Sequence, residues 1–534
     1  MNILFVRFPG ARVLRCISLT IVIALGLGAC VSMPPNDRQV ASTALVDTGN
    51  TTLGQGVSEA VAANQNKNGV LLLDSGLDAF VARVVLASTA ERSLDVQYYL
   101  FHRDLSGRLL LDALLKAADR GVRVRLLVDD MDMADTDVGI AVLDAHPNMQ
   151  VRLFNPFARN RSRLGQYISR FGSVTRRMHN KSFTADNEVT IIGGRNIGDE
   201  YFEADPTVAF ADMDVMLGGT AAKKVSTSFD LYWNNTLSYS PETLGEPRPS
   251  QETIANAREN LSNWAEEQSE SAYVRALKTS KLSQHINEKN VQFQWADVKI
   301  FYDQPEKISA SRSEKDLHMS KDIVPYFTNA NSEVIIISPY FVPGKTGTKT
   351  LCNMQKRGVS VHVLTNSLAS TDVSVVHAGY LRYRKKLLQC GVHIYEGNSK
   401  LVTRDPDDQS FKIEDDDRKS KLGLSRTSLH AKMFVFDRKH TFIGSLNLDP
   451  RSVTENTEIG SVIDSTEIGS EIASGFLEKV PNFTFRVSLD EKGGVRWDGY
   501  ENGQAVTYTK EPHTSFWERF ATQIMRILPI ESQI

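Results

Sequence analysis

One pattern of eight residues occurs twice, and the repeat limits what this chain can fold into. HNKSFTAD carries His179, Lys181 and Asp186, and HAKMFVFD carries His430, Lys432 and Asp437. Downstream of the first copy, Gly193, Gly194 and Asn196 answer to Gly444, Ser445 and Asn447 after the second. The histidines lie 251 positions apart (430 − 179), and every other pair keeps that offset. A single His-x-Lys is commonplace. Two copies with matching Lys, Asp, Gly and Asn offsets, each leading into an apolar strand-turn-strand pattern (VTIIGGRN and TFIGSLN), mark an internal duplication.

The surrounding periodicity repeats as well. In the first half a helix is expected over 77–89, a strand over 92–99, a helix over 107–120 and a strand over 122–128. In the second, EVIIISPYFV, a helical stretch through Lys356 and VSVHVLTN after Gly358 follow the same order. Strands separated by helices predict α/β halves with parallel or mixed sheets. At 534 residues the chain has room for two cores. Residues 240–290 are polar and helical in propensity, and read as the connection between halves. The charged stretch 405–421 reads as a solvated loop or a lid. A net charge of -3 argues against a dedicated polyphosphate or nucleic-acid binder.

Alternating side chains put a His and a Lys two residues apart on one face of a strand, so two such strands can bring two imidazoles and two ammonium groups into one cleft. That set suits a phosphodiester. Lysines and an asparagine amide (Asn196 or Asn447) would hold nonbridging oxygens; one histidine would attack phosphorus, and the other would protonate the leaving alkoxide and then activate the acceptor. Asp186 and Asp437 fit turns after the strand and are given a structural role. Gly194 opposite Ser445 removes one hydroxyl from the first copy, so the halves are not chemically equivalent. Arg195 and Asp199 add charge there without an evident role.

These residues resemble the duplicated motif of the phospholipase D superfamily, and more closely the bacterial cardiolipin synthases of the C type. The likeness extends through LDSGLDAFVARV, LDVQYYLFH, RLFNPFA, GGRNIGDEYF, ISPYFVPG and LPIESQI. It implies two pseudo-symmetric α/β/α sandwich domains with the active site at their interface, no cofactor and no metal. It further implies a phosphohistidine formed on His179, and acid and base work by His430. It also implies an acidic residue some thirty positions after each histidine, bonded to the imidazole. Glu458, 28 beyond His430 (458 − 430), and Asp212, 33 beyond His179 (212 − 179), fit, with Asp214 as a competitor. The activities implied are transfer of a phosphatidyl group to phosphatidylglycerol, giving cardiolipin, or hydrolysis to phosphatidic acid. A nuclease of the same superfamily and a non-catalytic lipoprotein fit less well. Phospholipids and a membrane surface are the expected partners, and one chain carries both half-sites, so a monomer suffices.

At the N-terminus Arg7, Arg12 and Arg15 precede an apolar run from Ile17 to Leu27, too short to span a bilayer comfortably, and then Gly28, Ala29 and Cys30. This reads as a signal whose Leu27-Gly28-Ala29-Cys30 resembles a lipobox with Cys30 as the acylated residue, an uncleaved anchor being the alternative. Val31 favours outer-membrane sorting by resemblance. Only Cys352 and Cys390 remain beyond it; two buried thiols are the simpler expectation, a disulfide the other. The expected divisions are a signal over 1–29, a lipidated N-terminus and linker over 30–68, and a first domain over 69–240. A helical connection over 241–295, a second domain over 296–484 and a C-terminal hairpin and helix over 485–534 follow. In the last, Trp517, Phe520, Ala521, Ile524 and Leu528 share one helical face, the usual sign of a helix docked on a core, although a membrane interface would ask for the same stripe.

Overall fold

The computed structural model describes residues 33–37, 39–133, 136–159, 162–170, 172–205, 207–399 and 426–528. The apolar run, Cys30 and Val31, the charged stretch 405–421 and residues 529–534 lie outside these. Among the described residues no helix is long and apolar enough to cross a membrane.

Each half is an α/β unit built on the same sheet order. In the first, Met149–Phe154, Arg123–Asp129 and Ser93–Tyr98 run parallel, and Ser182–Ala185, Val189–Gly193, Asp214–Gly218 and Asn68–Leu73 continue the sheet antiparallel. In the second, His393–Gly397, Ser360–Thr365 and Glu333–Ile337 are the parallel strands. Met433–Phe436, His440–Gly444, Ile459–Asp464 and Gln294–Tyr302 take the antiparallel places. All six residues of Ser93–Tyr98 are buried, as a central strand covered by helices on both faces requires. Helices Leu105–Asp119 and Gly344–Lys356 are the crossovers, and Gly121 and Gly358 follow them with φ of 93° and 88°, a left-handed turn that other residues take only under strain. Asn68–Leu73 and Gln294–Tyr302 pair with each other at Gly69 and Trp295, joining the sheets.

Of four apolar clusters among the described residues, the three largest hold the two halves. One lies within the first half around Phe80, Leu94, Leu110 and Val124, and one within the second around Phe327, Val361, Leu387 and Phe434. The third is shared: Ile192, Val215 and Leu217 of the first half pack with Met433, Ile443 and Ile459 of the second. A shared core fixes the halves against each other as firmly as each is fixed internally.

Three expectations change. The segment read as a linker is fastened to the first half. Asn36 donates to Thr236 O at 3.0 Å and Gln39 to Trp233 O at 2.8 Å, Ser42 N donates to Asn234, and Thr48 is buried against Glu188. Residues Thr52–Ala63 then form a helix. Its Ser, Thr and Asn content supplies these hydrogen bonds rather than solvation. The C-terminal hairpin is not separate either: Thr484–Leu489 pairs with His393–Gly397 and carries Val495–Glu501 and Gln504–Tyr508 as further strands of the second sheet. Helix Phe516–Ile527 packs on Ser374–Gln389, but only Thr522 of it is buried, so its apolar face points outward rather than into the core. Cys352 and Cys390, read as two thiols, form a disulfide between Gly344–Lys356 and the end of Ser374–Gln389.

Candidate active site

His179 and Lys181 lie on extended residues just before Ser182–Ala185, and His430 and Lys432 lie between Arg426–Leu429 and Met433–Phe436. The motifs therefore sit at the mouths of strands rather than within them. The residue before each histidine is gripped by a side chain at the end of a parallel strand. Asp129 accepts from Met178 N at 2.9 Å and Arg177 Nε at 2.8 Å; Asn366 accepts from Leu429 N at 3.1 Å and donates to Leu429 O at 2.9 Å.

The two halves then cross. His179 N donates to Thr457 O at 2.9 Å, and His430 N donates to Ala211 O at 2.8 Å. Thr457 and Ala211 each precede an acid, and that acid reaches the histidine of the opposite half. Glu458 Oε2 lies 2.8 Å from His179 Nδ1, and Asp212 Oδ2 lies 2.6 Å from His430 Nδ1. Both acids are thus where spacing placed them, but the pairing expected within each half is exchanged between halves. Position along the chain cannot reveal this, because it reports offsets and not partners. Asp214, the competitor, is committed to Arg83 at 2.7 Å.

Aromatic rings wall the imidazoles. Tyr99 meets His179 edge-on at 5.1 Å, Phe210 stacks on His430 at 5.2 Å, and Tyr201 meets the same ring edge-on. With Nδ1 engaged by a carboxylate, Nε2 of His179 is left for a substrate. Lys181 Nζ donates to His179 O at 2.7 Å, and Lys432 Nζ lies 2.8 and 3.1 Å from Nδ1 and Nε2 of His430.

The asymmetry between Gly194 and Ser445 has a steric cause. A Cβ at position 194 would stand 2.1 Å from Asp212 Oδ1, so the first copy has no room for a side chain. In the second, Ser445 Oγ donates to Glu458 Oε2, the oxygen that also meets His179, and accepts from Ile459 N at 3.1 Å. Each asparagine amide has one partner within the protein. Asn196 donates to Tyr201 Oη at 2.9 Å and accepts from Leu100 N, and Asn447 faces Ser452 at 3.5 Å with its Oδ1 unpartnered.

Asp186 and Asp437 are far from chemistry in their bonding. Asp186, at φ 50°, accepts from the backbone N–H groups of Glu91, Arg92 and Ser93; Asp437, at φ 52°, accepts from those of Asn331, Ser332 and Glu333. Each closes a hairpin and pins the start of the adjacent parallel strand. Arg195 clamps the carbonyls of Leu73, Asp74 and Asp212, and Asp199 accepts from Ser106 N at the start of a helix.

Electrostatics separates the two pairs. Burial, with Lys181 and Lys432 nearby, pushes His179 well below its ordinary 6.5. Burial and Lys432 also lower His430, but the Asp212 charge and its hydrogen bond pull back. Burial alone would raise Asp212, yet His430 and Lys432 hold it low; burial raises Glu458 well above the carboxylate range, and Lys181 and the Ser445 hydroxyl only partly oppose this. Behind Glu458, Asp303 accepts its backbone N–H at 2.8 Å and adds a like charge. Burial brings Lys432 down to about 8.

Asp129, Asn366, Asp303, Tyr99 and Phe210 escaped sequence reasoning. Only Asp129 carried a signal there, as one of two aspartates closing the VRVRLLVDD strand.

A family model described as "Cardiolipin synthase, PLD-like domain" matches residues 85–233 and 323–480. Cardiolipin synthase C of Escherichia coli is 39% identical over 464 residues, 87% of this chain and 95% of that protein. Cardiolipin synthase B of Salmonella typhimurium is 24% identical over 73% of this chain and 75% of its own length. Among solved structures, phosphatidylserine synthase of Haemophilus influenzae aligns with 90% of this chain and 100% of its own at a TM-score of 0.55 and 13% identity, which speaks to the fold. With the duplicated motif, the repeated sheet order and these matches in agreement, the chain belongs to the cardiolipin synthase family of phospholipase D-like proteins.

Proposed function

We propose that this protein is a phosphatidyltransferase that makes cardiolipin, taking a phosphatidyl group from one phospholipid and passing it to phosphatidylglycerol. The observation that carries the reading is the pair of crossed His–carboxylate bonds, Glu458 to His179 and Asp212 to His430, within a family of cardiolipin synthases. His179, held low in pKa, is the neutral imidazole: its Nε2 attacks phosphorus while its Nδ1 stays hydrogen-bonded to Glu458, which fixes the ring's orientation. His430, beside the ionised Asp212, gives its Nε2 proton to the departing alkoxide. As a base it then takes the proton of the phosphatidylglycerol hydroxyl, whose oxygen displaces His179 from phosphorus and restores both rings. Lys181 and Lys432 neutralise the nonbridging oxygens.

The aromatic rings around the imidazoles, Tyr99 beside His179 and Phe210 and Tyr201 beside His430, give the site apolar walls that suit a lipid substrate. Hydrolysis to phosphatidic acid uses the same first step and is the second reading. We also infer that Cys30 is lipidated after removal of residues 1–29 and that the body faces the periplasm, with the outer membrane favoured by Val31. The Cys352–Cys390 disulfide supports an oxidising compartment. Nucleic acid is not an expected substrate at a net charge of -3.

Purified protein given phosphatidylglycerol vesicles should form cardiolipin, and H179A and H430A should each abolish it. H430A should retain a phosphohistidine on a donor with an activated leaving group, because that step needs no acid. Phosphatidic acid as the sole product would overturn the transferase reading.

A further inference from the structure

We propose that helix Phe516–Ile527 seats its apolar face in an anionic phospholipid bilayer and holds the second half against the membrane by its catalytic end. The proposal rests on the lipid-substrate reading above and names the surface on which that chemistry takes place.

The face itself is unusual for a helix that packs on a domain. Phe516 is 63% exposed, Trp517 72%, Ile527 83%, and Phe520 and Ile524 48% each, whereas Thr522 on the opposite side is 2% exposed. Contact with Ser374–Gln389 therefore orders the helix without consuming its apolar side. Ser515 and Glu518 close a capping box at its start, so the helix is locally specified and not dependent on the missing contact. The aromatic rings cluster at the N-terminal end, with Phe516, Trp517 and Phe520 centroids 5.3 to 6.1 Å apart, and the aliphatic residues follow. An aromatic cluster beside aliphatic residues on one exposed face is the composition of helices that lie in the headgroup boundary.

Charge selects the partner. Helices Gly344–Lys356, Ser374–Gln389 and Phe516–Ile527 contact one another in sequence as one layer, and together hold nine Lys or Arg, of which Arg384 is buried against Glu396 and Glu511, and a single acid, Glu518. Lys345, Lys349, Lys356, Lys385, Lys386 and Arg526 are exposed. The whole chain carries a net charge of -3, so this layer is a local excess of positive charge, complementary to anionic lipid headgroups.

Placement links the face to the site. Just before the helix, Glu511 meets Arg384 at 2.7 Å and His513 meets Ser399 at 3.1 Å, immediately past the end of strand His393–Gly397. That is the end of the parallel strands at which Asn366 grips the residue before His430. The segment leading into the helix therefore lies at the end of the second half that carries the site.

The test uses the full chain in phosphatidylglycerol vesicles whose acyl chains carry bromine, with tryptophan emission as the readout. Quenching is expected, and W517F should remove most of it although four other tryptophans remain. Equal quenching in W517F would overturn the proposal, and undiminished quenching in phosphatidylcholine alone would overturn the anionic partner. F520E/I524E should raise KM for vesicle substrate about ten-fold, while kcat on detergent-dispersed substrate stays within about two-fold. If those substitutions instead dissociate a dimer in sedimentation and leave vesicle kinetics unchanged, the face belongs to a second copy and the proposal fails. Quenching without cardiolipin from either substrate form would sink the lipid-transfer reading and leave the docking intact.

Discussion

Gly194→Ala adds a single methyl group and should disable the site through a residue it does not replace. The new Cβ would stand 2.1 Å from Asp212 Oδ1 and 2.8 Å from both Cγ and Oδ2. Restoring ordinary contact at 3.4 Å requires the carboxylate to withdraw by about 1.3 Å. The bond from Asp212 to His430 is 2.6 Å, so a withdrawal of that size carries it to roughly 3.9 Å, beyond hydrogen-bond range. A lost hydrogen bond to a charged group costs roughly 1.5–3 kcal/mol, which corresponds to a fall of about 10- to 150-fold in the acid step. Single-turnover cardiolipin formation in mixed micelles measures it, with thermal unfolding as the control for folding. The double substitution with Asp212→Ala isolates the cause: once the carboxylate is gone, Gly194→Ala should cost nothing further. Turnover of Gly194→Ala within about three-fold of the parent, or a full additional loss on top of Asp212→Ala, would refute the reasoning.

Three further outcomes are expected. Lys432 is lowered from 10.5 to about 8, so its ammonium is lost as pH rises through that value and activity should fall on the alkaline side. Lys432→Arg, which stays charged, should remove that limb from the pH–rate profile even if the plateau is lower. Replacing Cys352 and Cys390 by Ser should cost about 3–4 kcal/mol of stability for a 38-residue separation, read by denaturant unfolding with and without reductant, and identical curves would count against a structural disulfide. Cys30→Ser should leave the signal uncleaved or release the protein from the membrane fraction; unchanged fractionation and processing would remove lipidation from the account.

Much of the fold was legible because duplication and periodicity are local. The strand ending at Tyr98 and the helix ending at Asp119 fall within two residues of where spacing put them, and Gly121 and Gly358 mark the same turn in both halves. The candidate site was legible as a set of residues, since His, Lys and acid offsets survive in one dimension. Its wiring was not. Whether Glu458 faces His179 or His430 depends on how two sheets dock, and nothing in a 28-residue spacing distinguishes the two. The polar stretch after Cys30 misled for a similar reason: Asn36, Gln39 and Ser42 have the composition of a tether, but their partners lie some two hundred residues away. The C-terminal stripe showed amphipathicity correctly and could not say which way it faced.

The exchange of acids between halves also bears on when the enzyme becomes active. As the chain is made, His179 and Lys181 come before Glu458, so His179 has no carboxylate partner until a residue 279 positions later is in place. The reverse holds for His430, whose acid waits in the part already made. Neither half alone carries a His–carboxylate pair, and both pairs form only where the halves dock through the shared core. The crossing acts as a safety catch on a lipid-cleaving catalyst, released by the completion of its own fold.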